Sequence, residues 1–378
     1  MKSPLAALVA FLLLLAGPAL AQPSDPQPAL LPPAFDLSPL ADDDIGLVAR
    51  IHFATHTPDF DRARAFYRML GYTAGVSGFA LTNTHAMARA LGMFDVFQYE
   101  LVKGEVIALP GSLNTASIDL LQFKTPFDGR PPYQRPNNLG AAYSALLTTN
   151  LASDVAYLKS QAVQFLSEPY GVPGNRFAFF RDPDGVLFQL VENAPPQADA
   201  AKNMHLTAMP FVAINVKDIE ASLPFYARFG YTDVRRFEHV GTLEEARAYG
   251  LDRAFHVRGS DIALGRGDRH VLRLQQWIEP FDPAPANPAP INRIGIQRIA
   301  LLTSDVDRAV AILKKQGVPF LSEVAPCCTG SGADETGIVH AIDPDGVYLE
   351  LVGRIARRPA QPQPEGCPPL EIKLPEKE

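Results

Sequence analysis

Apolar and polar residues alternate along several short segments of the chain, in the pattern that is typical of β-strands. The segments "ARIHFATHT" (49–57) and "SIDLLQF" (117–123) have this pattern, and so do "VLFQLVE" (186–192) and "VYLELVG" (347–353). Each of the last two follows the turn sequence D-P-D-G, which predicts a hairpin. Phe60, Ala63 and Tyr67 have helical spacing instead, and Ile219, Leu223 and Tyr226 repeat it. The patterns therefore predict strands and helices in alternation.

These elements occur in repeated copies. "AFYRMLGYT" (65–73) matches "PFYARFGYT" (224–232), "SIDLLQFKTPFD" (117–128) matches "VLRLQQWIEPFD" (271–282), and "VQFLSE" (163–168) matches "VPFLSE" (318–323). Each half divides again at a Pro- and Asn-rich stretch, "RPPYQRPNN" in one half and "PAPANPAPIN" in the other, after which a strand and a helix recur. The repeats predict two homologous halves, each built from two similar modules.

The first residues have the pattern of a secretory signal. Lys2 precedes an apolar run over residues 5–16, and Ala19-Leu20-Ala21 is a small-residue cleavage site. We therefore expect a periplasmic or secreted protein. The predicted organisation is a signal peptide (1–21), a Pro-rich linker (22–46), a first domain (47–195), a linker (196–203), a second domain (204–353) and a Pro-rich tail (354–378).

Composition restricts the partners. The net charge is −7, and Lys and Arg cluster only in "RIARR" (354–358), so we expect no nucleic-acid partner. No second long apolar run follows the signal, so we expect no membrane span. Cys327 and Cys328 are adjacent and Cys367 lies in the tail, which predicts a disulfide from Cys367 to one of the pair; the alternative is three unpaired thiols.

The order of the motifs resembles the vicinal oxygen chelate superfamily. The motifs are a helix ending in F-Y-x-x-x-G-Y, the strand "LLQF", and D-P-D-G followed by an apolar strand with Gln or Glu at a fixed position. That superfamily includes glyoxalase I, methylmalonyl-CoA epimerase, bleomycin-resistance proteins and extradiol dioxygenases. The resemblance covers nearly all of 47–353. It implies an α+β fold of two tandem domains, each made of paired βαβββ modules that form a curled mixed sheet around a cavity, and the internal pairing favours a monomer.

The resemblance also implies where functional side chains lie, because metal-binding members take ligands from the first and last strands of each module. In the first half these positions are His52, Asp119, Tyr143 and Gln189. The expected catalytic residues are His52, Asp119 and Tyr143, and the candidate metal ligands are His52, Asp119 and Gln189. Their donor atoms suit one divalent Zn, Mn, Fe or Ni ion. Two alternatives involve no metal: Asp119 orients His52 as a base while Tyr143 donates a proton, or the cluster is only structural.

The corresponding positions of the second half are Phe211, Arg273, Arg298 and Glu350. Two cationic side chains repel a divalent ion, so no metal is expected there. Glu350 is expected to pair with Arg298 or Arg273, since a buried charge needs compensation. The alternative is that Arg273 and Arg298 leave the cavity positive and bind a carboxylate or phosphate group. Gln189, Arg273, Arg298 and Glu350 are thus the candidate ligand-binding residues, and a packing role is expected for His340.

Two functions agree with these patterns. The first is an exported enzyme that acts on a small organic molecule in the first-half cavity as a lyase, isomerase or dioxygenase. The second is a binding protein of the bleomycin-resistance type, without turnover, and a purely structural scaffold is a third reading. Glyoxalase I is disfavoured because glutathione is chiefly cytosolic. The two-domain extradiol dioxygenases are disfavoured because their His, His and Glu ligands are not all kept here.

The predicted signal peptide is testable at the N-terminus. Sequencing of the mature protein purified from its native host should begin at Gln22, because cleavage after Ala21 removes the apolar run. Soluble cytosolic material that begins at Met1 would contradict the predicted localisation.

Overall fold

The structure is a computed structural model that describes residues 41–77, 79–112, 116–194, 203–264, 271–282, 291–327, 336–356 and 364–367. The predicted signal peptide and most of the predicted linkers and tail lie outside these residues. Within the described ranges, no helix is long and apolar enough to cross a membrane.

Helices alternate with strands as the hydrophobic pattern predicts. The described helices are α1 (Phe60–Met69), α2 (His85–Ala90), α3 (Leu151–Ser160), α4 (Ile219–Ala227), α5 (Leu243–Ala248) and α6 (Val306–Lys315). The described strands are β1 (Leu47–His56), β2 (Ala74–Ser77), β3 (Glu100–Ala108), β4 (Ser117–Thr125), β5 (Gly140–Thr148), β6 (Tyr170–Val172), β7 (Asn175–Arg181), β8 (Leu187–Val191), β9 (Leu206–Ala208), β10 (Phe211–Asn215), β11 (Tyr231–Gly241), β12 (Phe255–Leu264), β13 (Val271–Glu279), β14 (Ile296–Thr303), β15 (Ala325–Pro326), β16 (Thr336–Ile342) and β17 (Tyr348–Arg354).

The strands form two curled mixed sheets, which confirms the predicted α+β fold class. The first sheet has the order β15-β16-β17-β14-β1-β4-β3-β2, and the second has the order β11-β12-β13-β10-β5-β8-β7-β6. The short strand β9 pairs with β5 beside the second sheet. Four modules are therefore present: β1 to β4, β5 to β8, β10 to β13 and β14 to β17.

Each sheet combines one module from each half of the chain. Antiparallel pairing of β1 with β14 joins the first module to the fourth, and antiparallel pairing of β5 with β10 joins the second to the third. We expected the functional positions of one half to share one cavity, and that grouping does not hold. The repeats show where the modules lie in the sequence. Because the four modules have similar motifs, the sequence does not show which modules pair with each other.

Strand register confirms that the repeated positions are equivalent. Ala54 is paired with Asp119 on one side and with Arg298 on the other. In the second sheet, Ala213 is paired with Arg273 and with Tyr143 in the same way. The two inner faces therefore present corresponding positions with different chemistry.

The two recurring motifs bind each other. The hydroxyl of Tyr67 donates a 2.8 Å hydrogen bond to Asp182 Oδ2 in the D-P-D-G turn, and Tyr226 donates a 2.9 Å bond to Asp343 in the other copy. Asp182 Oδ1 also accepts hydrogen bonds from the backbone N–H groups of residues 184 and 186, which closes the turn. Gly185 adopts φ +88 there, a conformation that favours glycine. Each turn is thereby held against the first helix of its own half.

Apolar side chains form one large core and several smaller ones. The large core combines residues from both sheets with one face of α1, α3, α4 and α6; Phe60, Ala63 and Tyr67, predicted to share a helical face, are among them. A second cluster lies on the other face of the first sheet beneath α2. Two more clusters, rich in aromatic residues, belong to the second sheet. The inner face of each sheet is therefore separated from the main core.

The predicted bridge from Cys367 is wrong, because Cys367 is a free thiol. Cys327 is disulfide-bonded. The tail is therefore not tied by a disulfide to the loop before the last hairpin.

The exchange of modules predicts that the halves stay together after the connection between them is cut. A protease site placed in the predicted linker 196–203 should give two fragments that co-elute in size-exclusion chromatography, because β1–β14 and β5–β10 pairing joins them. Separation should require denaturant, since it would expose four inner strand edges. Two separate monomeric peaks in native buffer would contradict this organisation.

Candidate functional site

The structure brings four of the candidate residues together on the first sheet. His52 lies on β1, Asp119 on β4, Arg298 on β14 and Glu350 on β17. These strands are consecutive in the sheet order β17-β14-β1-β4. All four residues are 4 to 8% exposed, so the cluster is buried.

Arg298 connects the two carboxylates of the cluster. Its Nε donates a 2.5 Å hydrogen bond to Glu350 Oε2, and its Nη2 donates to Asp119 Oδ2. Burial of a guanidinium is tolerated when carboxylates pair with it and accept its hydrogen bonds. The predicted pairing of Glu350 with a cation is thus confirmed, and the cation is Arg298.

The small side chain of Ala54 lets Arg298 reach across β1 to Asp119. Ala54 on β1 is directly between Arg298 and Asp119 in the register, and paired residues point to the same face. Adjacent strands are about 4.8 Å apart, so Arg298 must span two such spacings to meet Asp119. The methyl group of Ala54 leaves room for this, whereas a larger side chain would stand in the path.

Two histidines face Glu350. His52 Nε2 lies 4.0 Å from Glu350 Oε2, and His340 Nε2 lies 3.9 Å from the same oxygen. His340 Nδ1 is 2.7 Å from the carbonyl oxygen of Ala90 at the end of α2, which can only accept. His340 therefore does more than pack: it belongs to the polar cluster around Glu350. The sequence signal for this is the final hairpin, whose register pairs His340 with Glu350.

Burial and the central cation set the protonation of these groups. Burial lowers the pKa of His52 and of His340 to about 4, so both imidazoles are neutral at pH 7. Burial raises the pKa of Asp119 to about 6 and outweighs the opposing effect of Arg298. Although burial also favours the neutral acid at Glu350, the charge of Arg298 lowers its pKa to about 2. Glu350 is therefore the more firmly ionised carboxylate.

A small cavity of about 70 Å³ adjoins the cluster. Its polar lining includes His52, Asp119, Arg298 and Glu350, and its other walls are mainly apolar, including Met87, Leu101, Leu121, Ile338 and Val352. Three polar atoms of the cluster have no hydrogen bond to any described residue, namely Asp119 Oδ1, Arg298 Nη1 and His340 Nε2. The cavity wall is therefore mainly apolar, and the cluster supplies polar groups to it.

The equivalent positions on the second sheet form a different environment. Arg273 lies 3.7 Å from the ring centre of Phe211 and donates a 2.7 Å hydrogen bond to Asp261 on the neighbouring strand. Tyr143 donates a 3.0 Å hydrogen bond to Gln275. Aromatic rings fill this face through mutual contacts, and they include Tyr143, Phe179, Phe211, Tyr249, Phe255 and Trp277. This face is packed as a core.

Several expectations about the site are therefore corrected. His52 and Asp119 lie on the first sheet, whereas Tyr143 and Gln189 lie on the second, so neither the proposed catalytic set nor the proposed metal set is assembled. Arg273 is likewise remote from Glu350, because it belongs to the second sheet. The expected surplus of positive charge is absent from the first-sheet cavity, where one guanidinium faces two carboxylates.

The residues of the first sheet do not fit the divalent ion that the resemblance implies. The guanidinium lies between the two carboxylates and uses an oxygen of each, and its fixed charge would repel a second cation. Among the described residues, no group of three or more His, Cys, Asp or Glu side chains is arranged to hold a metal ion.

Paired βαβββ modules that form two curled mixed sheets define the fold class of this chain. The chain matches the model of the Glyoxalase/Bleomycin resistance protein/Dioxygenase superfamily over residues 50–190 and 208–351, and it belongs to that superfamily. The resemblance seen in the sequence is thus confirmed.

Individual relatives are distant. Lactoylglutathione lyase of Schizosaccharomyces pombe is 23% identical over 217 residues, which cover 56% of this chain and 66% of that protein, just under two thirds of its length. Glyoxalase I from Zea mays has a similar structure, with a TM-score of 0.52, 18% identity, and coverage of 81% of this chain and 92% of that chain. A putative dioxygenase from Bacillus subtilis gives a TM-score of 0.50 at 10% identity, with coverage of 83% and 86%. These structures support the fold alone.

The buried ion cluster predicts a large effect of Arg298→Met on stability. Both carboxylates would lose their cation, so the free energy of unfolding at pH 7 should fall by about 3–5 kcal/mol in urea denaturation. Arg235→Met is the matched control, because exposed Arg235 also pairs with a carboxylate, Asp261, which keeps Arg273 as a partner. The control should cost less than about 1 kcal/mol. Equal losses for the two variants would contradict the buried cluster.

Proposed function

We propose that this protein binds a small uncharged carbonyl compound in the first-sheet cavity and moves a proton on the carbon next to the carbonyl group. The observation that carries the proposal is the set of polar atoms without partners in the described structure: Asp119 Oδ1, Arg298 Nη1 and His340 Nε2. Buried polar atoms without hydrogen bonds cost free energy, so a ligand that supplies partners is favoured. A donor and an acceptor beside apolar walls are typical of small-molecule sites.

The chemistry needs only side chains of this chain. Arg298 Nη1 would donate a hydrogen bond to the carbonyl oxygen of the ligand, and Asp119 Oδ1 would accept a proton from the adjacent carbon. The electron pair of the broken C–H bond moves onto the carbonyl oxygen, where the guanidinium stabilises the enolate. Return of a proton from Asp119 to the same carbon restores the carbonyl group, and the result is exchange of that proton or inversion at that carbon. Glu350 holds Arg298 in place through Nε.

Charge and size limit the ligand. With both histidines neutral, one guanidinium and two carboxylates give the cavity no surplus positive charge, so an anionic ligand is disfavoured. A cavity of about 70 Å³ favours a small ligand over a large one. A molecule of a few heavy atoms fits the proposal best.

Binding without turnover is the second candidate. It is favoured by the engagement of Arg298 with both carboxylates, because a guanidinium that is already paired polarises a ligand carbonyl less than a free one would. The protein would then hold the ligand in the same cavity, through the same contacts, without converting it. The secretory pattern of residues 1–21 further supports the proposal that either function is exercised outside the cytoplasm.

Deuterium exchange tests the proposed proton transfer. Hydroxyacetone incubated with the protein in D2O should lose its CH2 signal in ¹H NMR faster than in buffer, because Asp119 exchanges the proton with solvent. Asp119→Asn keeps the size of the side chain but removes the base, and the exchange rate should fall by roughly 100-fold or more. Asp261→Asn is the matched control in the second sheet and should leave exchange unchanged.

Binding is followed separately by saturation-transfer NMR with hydroxyacetone, dihydroxyacetone and acetamide as uncharged probes and pyruvate as the anionic probe. Binding of an uncharged probe without exchange would support the binding protein. Binding of pyruvate in preference to the uncharged probes would overturn the charge argument, and no binding of any probe would count against the cavity as a ligand site.

A further inference from the structure

We propose that the guanidinium of Arg298 takes the place of a metal ion, so that this single side chain keeps a latent metal site closed. The proposal rests on the contacts of the cluster and does not depend on the proposed proton transfer. It makes Arg298 the residue that decides which cofactor chemistry the first sheet can support.

The atoms around Arg298 are those that metal ions prefer. Two carboxylates, Asp119 and Glu350, accept hydrogen bonds from its Nη2 and Nε, and two imidazoles, His52 and His340, lie within 4.0 Å of Glu350 Oε2. Nitrogen and oxygen donors of this kind suit divalent ions such as Zn²⁺ or Co²⁺. One cation at their centre is needed in any case, because two buried carboxylates require compensation.

The hydrogen bonding of His340 also suits a metal. Its Nδ1 donates to the carbonyl oxygen of Ala90, and its Nε2 has no hydrogen bond among the described residues. A hydrogen bond on one ring nitrogen is the arrangement that orients a ligand histidine toward a metal through the other. Arg298 prevents coordination of a metal ion, because its guanidinium already binds oxygens of Asp119 and Glu350.

Side chains at corresponding positions of the second sheet provide the contrast. Tyr143 is the counterpart of Arg298, and its neighbours at the equivalent positions are Phe211, Arg273 and Gln189. None of these side chains is a carboxylate or an imidazole. The latent site therefore belongs to the first sheet, and the second sheet offers a control with the same backbone.

The test is a gain of metal binding by Arg298→His in the full chain. The variant loses the guanidinium, gains an imidazole donor, and should bind one equivalent of Co²⁺ or Zn²⁺ per chain in isothermal titration at pH 7.5. Bound Co²⁺ should show visible absorption bands, and Zn²⁺ should raise the melting temperature, because a ligand that binds only the folded state stabilises it. The wild type should show none of these effects, and chelator should leave its melting temperature unchanged.

Control variants separate charge from geometry. Tyr143→His places the same residue at the equivalent position of the second sheet and should gain no metal. Arg298→Lys keeps a cation and should also gain none. Adding Asp119→Asn to Arg298→His should weaken Co²⁺ binding by more than about 10-fold, because a ligand is lost.

A stoichiometric metal in the wild type would overturn the proposal, and so would an Arg298→His variant that is folded by circular dichroism and binds no metal. If Arg298→His does not fold, Arg298→Gln removes the charge with a smaller change of shape, and it should bind Co²⁺ more tightly than the wild type. Failure of that variant as well would overturn the proposal. Hydroxyacetone exchange plays no part in these measurements, so the two proposals fail independently.

Discussion

A buried ion cluster is the interaction on which the first sheet depends. Arg298 pairs with Asp119 from the first module and with Glu350 from the fourth, and it lies on the strand that joins these modules. Charges in a low-dielectric interior are tolerated only when they are mutually compensated and hydrogen-bonded. The same contact therefore connects the two halves of the chain, orders the polar end of the cavity and fixes its electrostatic balance.

The two sheets share one strand arrangement but differ in the chemistry of their inner faces. In the first sheet the row of residues across the centre is Arg298, Ala54 and Asp119, and in the second it is Tyr143, Ala213 and Arg273. The alanine between the two polar positions is retained in both. In the second sheet, however, Arg273 is compensated by Asp261 on the neighbouring strand, and aromatic rings occupy the space above it. One face thus keeps a polar cavity and the other has become a core.

The chain belongs to the Glyoxalase/Bleomycin resistance protein/Dioxygenase superfamily, and the chemistry of the cluster depends on the cation at its centre. A guanidinium delivers one diffuse positive charge and directional hydrogen bonds, whereas a divalent ion delivers two charges and open coordination positions. The proposed acid–base chemistry uses the charge and the hydrogen bonds of the guanidinium.

Sequence alone determined the modules, their strands and helices, and the equivalence of positions such as Asp119 and Arg273, because these follow from local periodicity and from repeated motifs. It also identified Glu350 as a group that needs a cation. Only the tertiary structure decided that His52 and Asp119 share a sheet with Arg298 and Glu350, while Tyr143 and Gln189 share the other sheet with Arg273. The physical reason is that four similar modules can pair in more than one way at nearly the same local cost. The choice is made by long-range strand pairing and by burial of charge, which no local pattern records.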